Sequence, residues 1–481
     1  MKRILCKVSM LIALAACTVS CNHISNVVTD KSNEKACSYL RNTIMSTYYY
    51  WYKSLPDIKY DNNTDIYEFF DDLLYEKDRW SWMIDGQTFI AEESGIIYGT
   101  YGASLGQFHS PSEFERILDY NVMVRYVYPG SPFDKAGIKR GWVLTSLDGR
   151  DVLDYWLSSE KNKDEFNALI GTPSITVPHL FTFKDPDGNI VEKSITAAES
   201  LNTRPCLVKK VFTSEDYPGL TAPVGYYHYL AFKADDDVNG KSMMDDISEP
   251  MEYFKERGVK TLIVDLRYNG GGDSRASDLF VNLVAPRSAD GKVYVTRQHN
   301  NRLTKLDESN AVAIDKNSPE FKCLYFITGK GSASASEMTL NGLKPLANIQ
   351  QVGGITYGKP NGMYVFMYPN LAAYKKGDYS GLKYVFLPIC FYNCNGDGVY
   401  IPDDGMVPDN IRPDDLYHDF GPTEDNIAAC LHHIVHGTYP ALPELPANAG
   451  RSLAGKSVKP LMNEPENDNN YGLFTVKTEN F

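Results

Sequence analysis

The sequence predicts a multidomain chain of mixed α+β and α/β class, with an N-terminal helical segment, a β-rich body and an α/β core. Three observations carry this. From Asp65 to Tyr75 the apolar residues Ile66, Phe69, Phe70, Leu73 and Leu74 recur at helical spacing, with acidic residues opposite. From about Ile96 the pattern changes to short apolar runs broken by glycine turns. Beyond Ser200–Leu207, which reads as a linker, apolar strands such as Thr261-Leu262-Ile263-Val264-Asp265-Leu266 alternate with helix-like stretches. That alternation marks a parallel sheet covered on both faces.

The chain of 481 residues has room for two or three domains, and 43% hydrophobic with 23% charged residues is ordinary for a soluble globular protein. A net charge of −13 argues against nucleic acid, and against an anionic membrane surface, as the main partner. The start is different: Met1-Lys2-Arg3 is basic and Val8 to Ala16 is an apolar run of signal-peptide length. Leu14-Ala15-Ala16-Cys17 resembles the lipobox of bacterial lipoproteins, which implies acylation of Cys17, with Cys21 a second candidate. Thr18 rather than Asp after Cys17 implies, within that class, the outer membrane. Loss of Lys2, Arg3 and Lys7 with the leader would take the charge from −13 to −16.

The organisation expected is a signal at 1–16, a tether at 17–33, a helical region at 34–94, a β-rich domain at 95–195, a core at 205–437 and a proline-punctuated tail at 438–481. Glu34 to Lys53 and Asp65 to Tyr75 read as helices, and the aromatic run Tyr48 to Tyr52 as packing. Cys37, Cys206, Cys323, Cys390, Cys394 and Cys430 fit no zinc spacing. Cys390 and Cys394 could pair in an exported protein or stay buried and inert.

The β-rich stretch runs from Gly99-Thr100-Tyr101-Gly102-Ala103-Ser104-Leu105-Gly106 through Ser131-Pro132 and Ala136-Gly137-Ile138 to Asp148-Gly149-Arg150-Asp151-Val152. In this order it resembles a PDZ domain, although Trp142 stands where an Asp is usual. The resemblance implies capture of an extended peptide by strand addition, its carboxylate held near Gly102, Ala103, Leu105 and Gly106. Asp185-Pro186-Asp187-Gly188-Asn189 reads as a hairpin turn near the end of this domain.

In the core, the buried strand Cys323–Thr328 leads into Gly331-Ser332-Ala333-Ser334-Ala335-Ser336-Glu337 and then a helix. This sets a hydroxyl at a strand's end facing the helix's positive pole, where a developing oxyanion meets backbone N–H groups. Ser334-x-x-Glu337 is equally a capping box, the bland reading of the same residues. The turn Arg267-Tyr268-Asn269-Gly270-Gly271-Gly272-Asp273 lacks the pattern of a nucleotide loop, and glycine there suits close approach of a substrate carbonyl. None of the nine histidines lies in a recognisable triad, and His228, within a strand, reads as packed core. A buried lysine is the alternative base. Val352 to Gly358 is an apolar, glycine-rich segment ending in Lys359.

Together with Gly405-Met406-Val407-Pro408-Asp409, these segments resemble the C-terminal processing peptidases, or tail-specific proteases, over roughly residues 60 to 425. The resemblance implies Ser334 as nucleophile, Lys359 as general base, and Ala335 with Gly271 as oxyanion donors. It also implies protein or peptide substrates with free C-termini and no metal or cofactor. Two departures stand out. Many relatives carry Gln four residues after the lysine, where this chain has Met363. The tricorn-like branch uses a His in a segment that Asp78-Arg79-Trp80-Ser81-Trp82 resembles, and none is present here. The resulting expectation is an exported serine endopeptidase, lipid-anchored in the cell envelope. The rivals are an inactive PDZ-type peptide-binding lipoprotein and an esterase on the same dyad.

Overall fold

The computed structural model describes residues 32–109, 120–152, 154–155, 160–315, 318–369, 379–442 and 475–476. The signal, Cys17, nearly all of the tether and most of the 438–481 tail lie outside them. No helix among the described residues is long and apolar enough to cross a membrane.

The N-terminal helix is shorter than its pattern suggested. Ser32–Tyr39 is α-helical and Leu40–Met45 continues it as a π-helix; the chain then turns. The next helix, Ile66–Leu73, is capped by Asp65, whose carboxylate accepts the N–H groups of Tyr67 and Glu68. Leu40, Ile44, Phe69 and Phe70 share one apolar cluster with the core residues Val264 and Phe326. The strand Trp82–Asp85 pairs antiparallel with Tyr384–Leu387. The 34–94 stretch is therefore woven into the core and is not a separate helical unit. Helices this short cannot bury their apolar faces alone and need a partner surface. Tyr49 is fully buried and donates to Asp78 Oδ2 at 2.7 Å, so the aromatic run packs as expected.

The β-rich body has its own apolar cluster around Tyr101, Phe133, Phe181 and Phe183. Its antiparallel sheet begins with β1 (Ala103–His109) at one edge, followed by β2 (Tyr120–Val127), Val143–Leu147, His179–Lys184 and Ile190–Ile195. Asp185 to Asn189 forms the expected turn, closed by Gly188 N–H to Asp185 O at 3.0 Å. The 200–207 segment is not a loose linker. Ile96–Thr100 pairs with Ala198–Asn202 where the chain arrives at and leaves the body. Cys206 then opens another strand. Its polar residues resemble a loop because these strands are half exposed.

The core sheet runs β3 (Cys206–Phe212), β4 (Val224–Tyr229), β5 (Thr261–Asp265), β6 (Cys323–Thr328), β7 (Ile349–Gly353) and Asn410–Ile411. All pairs after the first are parallel. Helices α1 (Ser274–Val284) and α2 (Ala335–Leu343) follow β5 and β6. Since β5 and β6 are neighbours, with Asp265 opposite Ile327, the glycine turn and the serine loop emerge side by side. This is the carboxyl edge, where open α/β sheets place their sites. A second sheet contains Val293–His299, β8 (Asn361–Tyr364) and β9 (Ile389–Cys394), and ends in β10 (Thr475–Val476). The six cysteines among the described residues are free thiols, Cys390 and Cys394 included.

Candidate active site

Three serines crowd the junction of β6 and α2, two in the loop and Ser336 in the first turn of α2, and their partners separate them. Ser332 Oγ donates to Leu266 O at 2.7 Å and Ser336 Oγ to Asn269 O at 2.9 Å, so both tie the loop to the glycine turn. Ser334 Oγ is buried with no hydrogen-bond partner. Its backbone sits at φ 53°, ψ −112°, and among the described non-glycine residues only Asp148 also has positive φ. Strain of this kind costs of order 1–3 kcal/mol and persists only where the surroundings impose it. Ser334 and Glu337 take the reciprocal positions of a capping box. Its carboxylate half is a clear hydrogen bond, Ser334 N–H to Glu337 Oε2 at 3.1 Å. The hydroxyl half lacks hydrogen-bond geometry, which leaves Oγ uncommitted.

Glu337 does more than cap. The same Oε2 accepts Lys359 N–H at 2.8 Å, while Oε1 accepts Gly358 N–H at 2.8 Å and the Thr356 hydroxyl at 2.5 Å. One buried carboxylate thus brings the serine loop and the lysine loop together. Burial pushes its carboxyl upward, opposed by these four donors. Lys359 is 1% exposed, and burial pulls its amine down to about 7, partly offset by the charges of Asp78 and Glu337. Its Nζ lies 3.9 Å from Met363 Sδ, a weak acceptor. Arg79 and Trp80 donate to Gly358 O at 2.9 and 3.2 Å and hold the loop from the other side. The sequence reading missed Glu337 and Asp78 in these roles. Their signal lies in the capping box and in the segment Asp78-Arg79-Trp80-Ser81-Trp82.

Ala335 N–H is one of the first four helical N–H groups, which have no intrahelical acceptor. Gly271, at φ +109°, lies against it, since a Cβ there would come within 2.9 Å of Ala335 N and of Ser334 Cβ. The N–H of Gly271, expected as an oxyanion donor, is engaged within the turn. That group donates to Asn269 Oδ1 at 2.8 Å, because the Asn269 side chain folds back over the turn. His228 is fully buried and held near 4 by burial, hence neutral, as expected of core packing.

The profile of peptidase family S41 matches residues 223–385, spanning the glycine turn, Ser334 and Lys359, and that of the peptidase S41 N-terminal domain matches 42–82. The chain thus carries peptidase family S41 domains over these residues. A carboxyl-terminal-processing peptidase 3 of Arabidopsis thaliana, chloroplastic, is 25% identical over 245 residues, covering 50% of this chain and 43% of that protein. The chain's match thus spans less than half of that relative's length. An S41 protease from Bacteroides fragilis shares the fold at TM-score 0.64 and 19% identity, with 82% of this chain and 96% of that one covered.

The residues expected to bind peptide sit on or just before β1, the edge strand of the β-rich body. Ala103, Leu105 and Gly106 pair with Val127, Val124 and Met123 of β2. Gly102 has φ +75° and lies against Ser131, but its N–H is already donated to Thr100 Oγ1 at 3.0 Å. The body is tied to the core through Arg140, which donates to Asp414 at 3.0 Å and to the Tyr268 hydroxyl at 2.8 Å. Asp414 also accepts from Arg267 at 2.7 Å. Tyr268 directly precedes the Asn269 turn.

Proposed function

We propose that this chain is an exported serine endopeptidase that cuts polypeptides by a Ser334–Lys359 acyl-enzyme mechanism. The observation that carries the reading is the shared carboxylate: Glu337 holds a strained serine with an unpartnered hydroxyl and a buried lysine titrating near neutrality. Neutral Lys359 takes the Ser334 proton, and Oγ attacks the scissile carbonyl. The oxyanion is met by Ala335 N–H, and by Gly271 N–H as it turns from Asn269 Oδ1. Lys359 then protonates the leaving amine, and water hydrolyses the ester. The β-rich body acts as a PDZ-type module that adds a substrate's C-terminal tail to β1. Acylation of Cys17 anchors the protein in the envelope, with its folded body in the periplasm or at the cell surface.

The test is cleavage of peptides with free C-termini by wild type, Ser334→Ala and Lys359→Ala. Both variants should lose at least about 1000-fold in kcat/KM. Undiminished cleavage by either variant removes the dyad. One feature favours the second reading, an inactive peptide-binding lipoprotein: the engaged Gly271 N–H leaves the oxyanion site incomplete at rest. Labelling of Ser334 by a fluorophosphonate, absent in Ser334→Ala, would exclude that reading.

A further inference from the structure

Two residues beyond Lys359 the chain enters β8. One edge of β8 is bonded antiparallel to β9, with Asn361 opposite Tyr392 and Gly362 opposite Phe391. Its other edge carries β10 in parallel, Met363 opposite Thr475 and Tyr364 opposite Val476. β10 also lies close to α1, the helix that leaves the glycine turn. The strand is therefore lodged between the lysine segment and the element that follows the oxyanion turn. Without it, β8 would end the sheet with a row of unmet N–H and C=O groups, an edge that native chains keep covered or use for binding. The covering residues, Thr475 and Val476, end the sequence Gly472-Leu473-Phe474-Thr475-Val476, a composition that favours strand in an otherwise polar, proline-broken tail. Residues 443–474 give it ample reach.

We propose that the edge of β8 is a strand-addition site that lays an extended polypeptide beside Lys359, and that the chain's own C-terminal segment is its tethered occupant. Main-chain ladder bonds supply affinity for any extended segment, so substrate and tail compete for one edge. Parallel pairing sets the direction, since the part of an occupant preceding the partner of Met363 runs back towards Lys359. The functional consequence, restraint of cleavage by the tail, rests on the peptidase reading; the binding does not.

The test uses the Ser334→Ala chain, full length and ending at Asn469, with a fluorescent peptide of the sequence Tyr471 to Phe481. The peptide is amidated at its C-terminus so that carboxylate capture by the β-rich body contributes nothing. Anisotropy should show the shortened chain binding the peptide at least about tenfold more tightly than the full chain, whose tether supplies a competitor at high effective concentration. A peptide with Thr475→Pro, lacking a ladder N–H, should bind at least about tenfold more weakly. In the active enzyme, shortening should lower KM for peptide substrates. Equal binding by the two chains, or undiminished binding of the proline peptide, overturns the proposal. Because the assay needs no turnover, an inert wild type would sink the peptidase reading and leave this one standing.

Discussion

Glu337 Oε2 accepts the main-chain N–H of Lys359 at 2.8 Å, and the same oxygen accepts that of Ser334. A carboxylate fits this position because every group aimed at it is a donor. Glu337→Gln should therefore bring an amide N–H into a ring of N–H groups. We expect kcat to fall roughly 10–100-fold with little change in KM, the equivalent of about 1.4–2.7 kcal/mol. Glu337→Ala leaves several buried donors unmet, each costing roughly 1–3 kcal/mol, and should lower the melting temperature as well. Steady-state kinetics with thermal melts separate the two.

The pH profile follows from Lys359. In the proposed dyad the reactive form is the neutral amine, so kcat/KM should rise with pH through about 7 and be lost below it. Asp78 raises the affinity of that amine for its proton, so Asp78→Asn should move the acidic limb to lower pH. A limb that stays in place would remove Asp78 from the electrostatics of the site.

Burial of Lys359 also affects stability. Its folded value lies below its unfolded one, so between about 7 and 10.5 the unfolded chain binds more protons and stability rises with pH. At neutral pH and below, the buried amine is destabilising. Lys359→Met should therefore abolish cleavage yet raise the melting temperature, by roughly 2–4 °C for each kcal/mol relieved. A lower melting temperature at pH 6 would contradict this account.

Gly271→Ala should inactivate without abolishing folding. A Cβ there meets Ala333 O, Ala335 N and Ser334 Cβ below 3.0 Å, at a φ of +109° that side chains avoid. Circular dichroism should stay near wild type while serine labelling is lost.

Arg140 joins the β-rich body to the residue before the glycine turn. Its removal leaves Asp414 short of a partner and Tyr268 without its donor. Arg140→Met should cost roughly 3–5 kcal/mol of stability, measured by denaturant unfolding. It should also reduce kcat for short peptides that never touch β1. A variant that folds as stably as wild type would show that the body is not locked to the core through this residue.

The parts legible in the sequence were those whose physics is local. The buried strands Thr261–Asp265 and Cys323–Thr328 and the turn at Asp185–Asn189 declare themselves by pattern. Long-range acceptors were not legible. Glu337 looked like a helix cap because its second job concerns residues about twenty positions away. Asp78 sits some 280 positions before Lys359, and long-range contacts such as those of Arg79 and Trp80 with Gly358 O bring it near. The engagement of Gly271 N–H was hidden for the opposite reason: its acceptor, two residues back, belongs to a side chain whose direction no periodicity reports.

Ile96 pairs with Asn202 and Thr100 with Ala198, and Thr203 N–H continues the ladder to Gly95 O at 2.7 Å. The β-rich body therefore departs and returns at almost one point, on two strands zipped together. Such a geometry makes it a cassette. It can be exchanged for another module, or excised and its stumps rejoined by a two-residue turn, without re-routing any strand of the sheet that holds the serine.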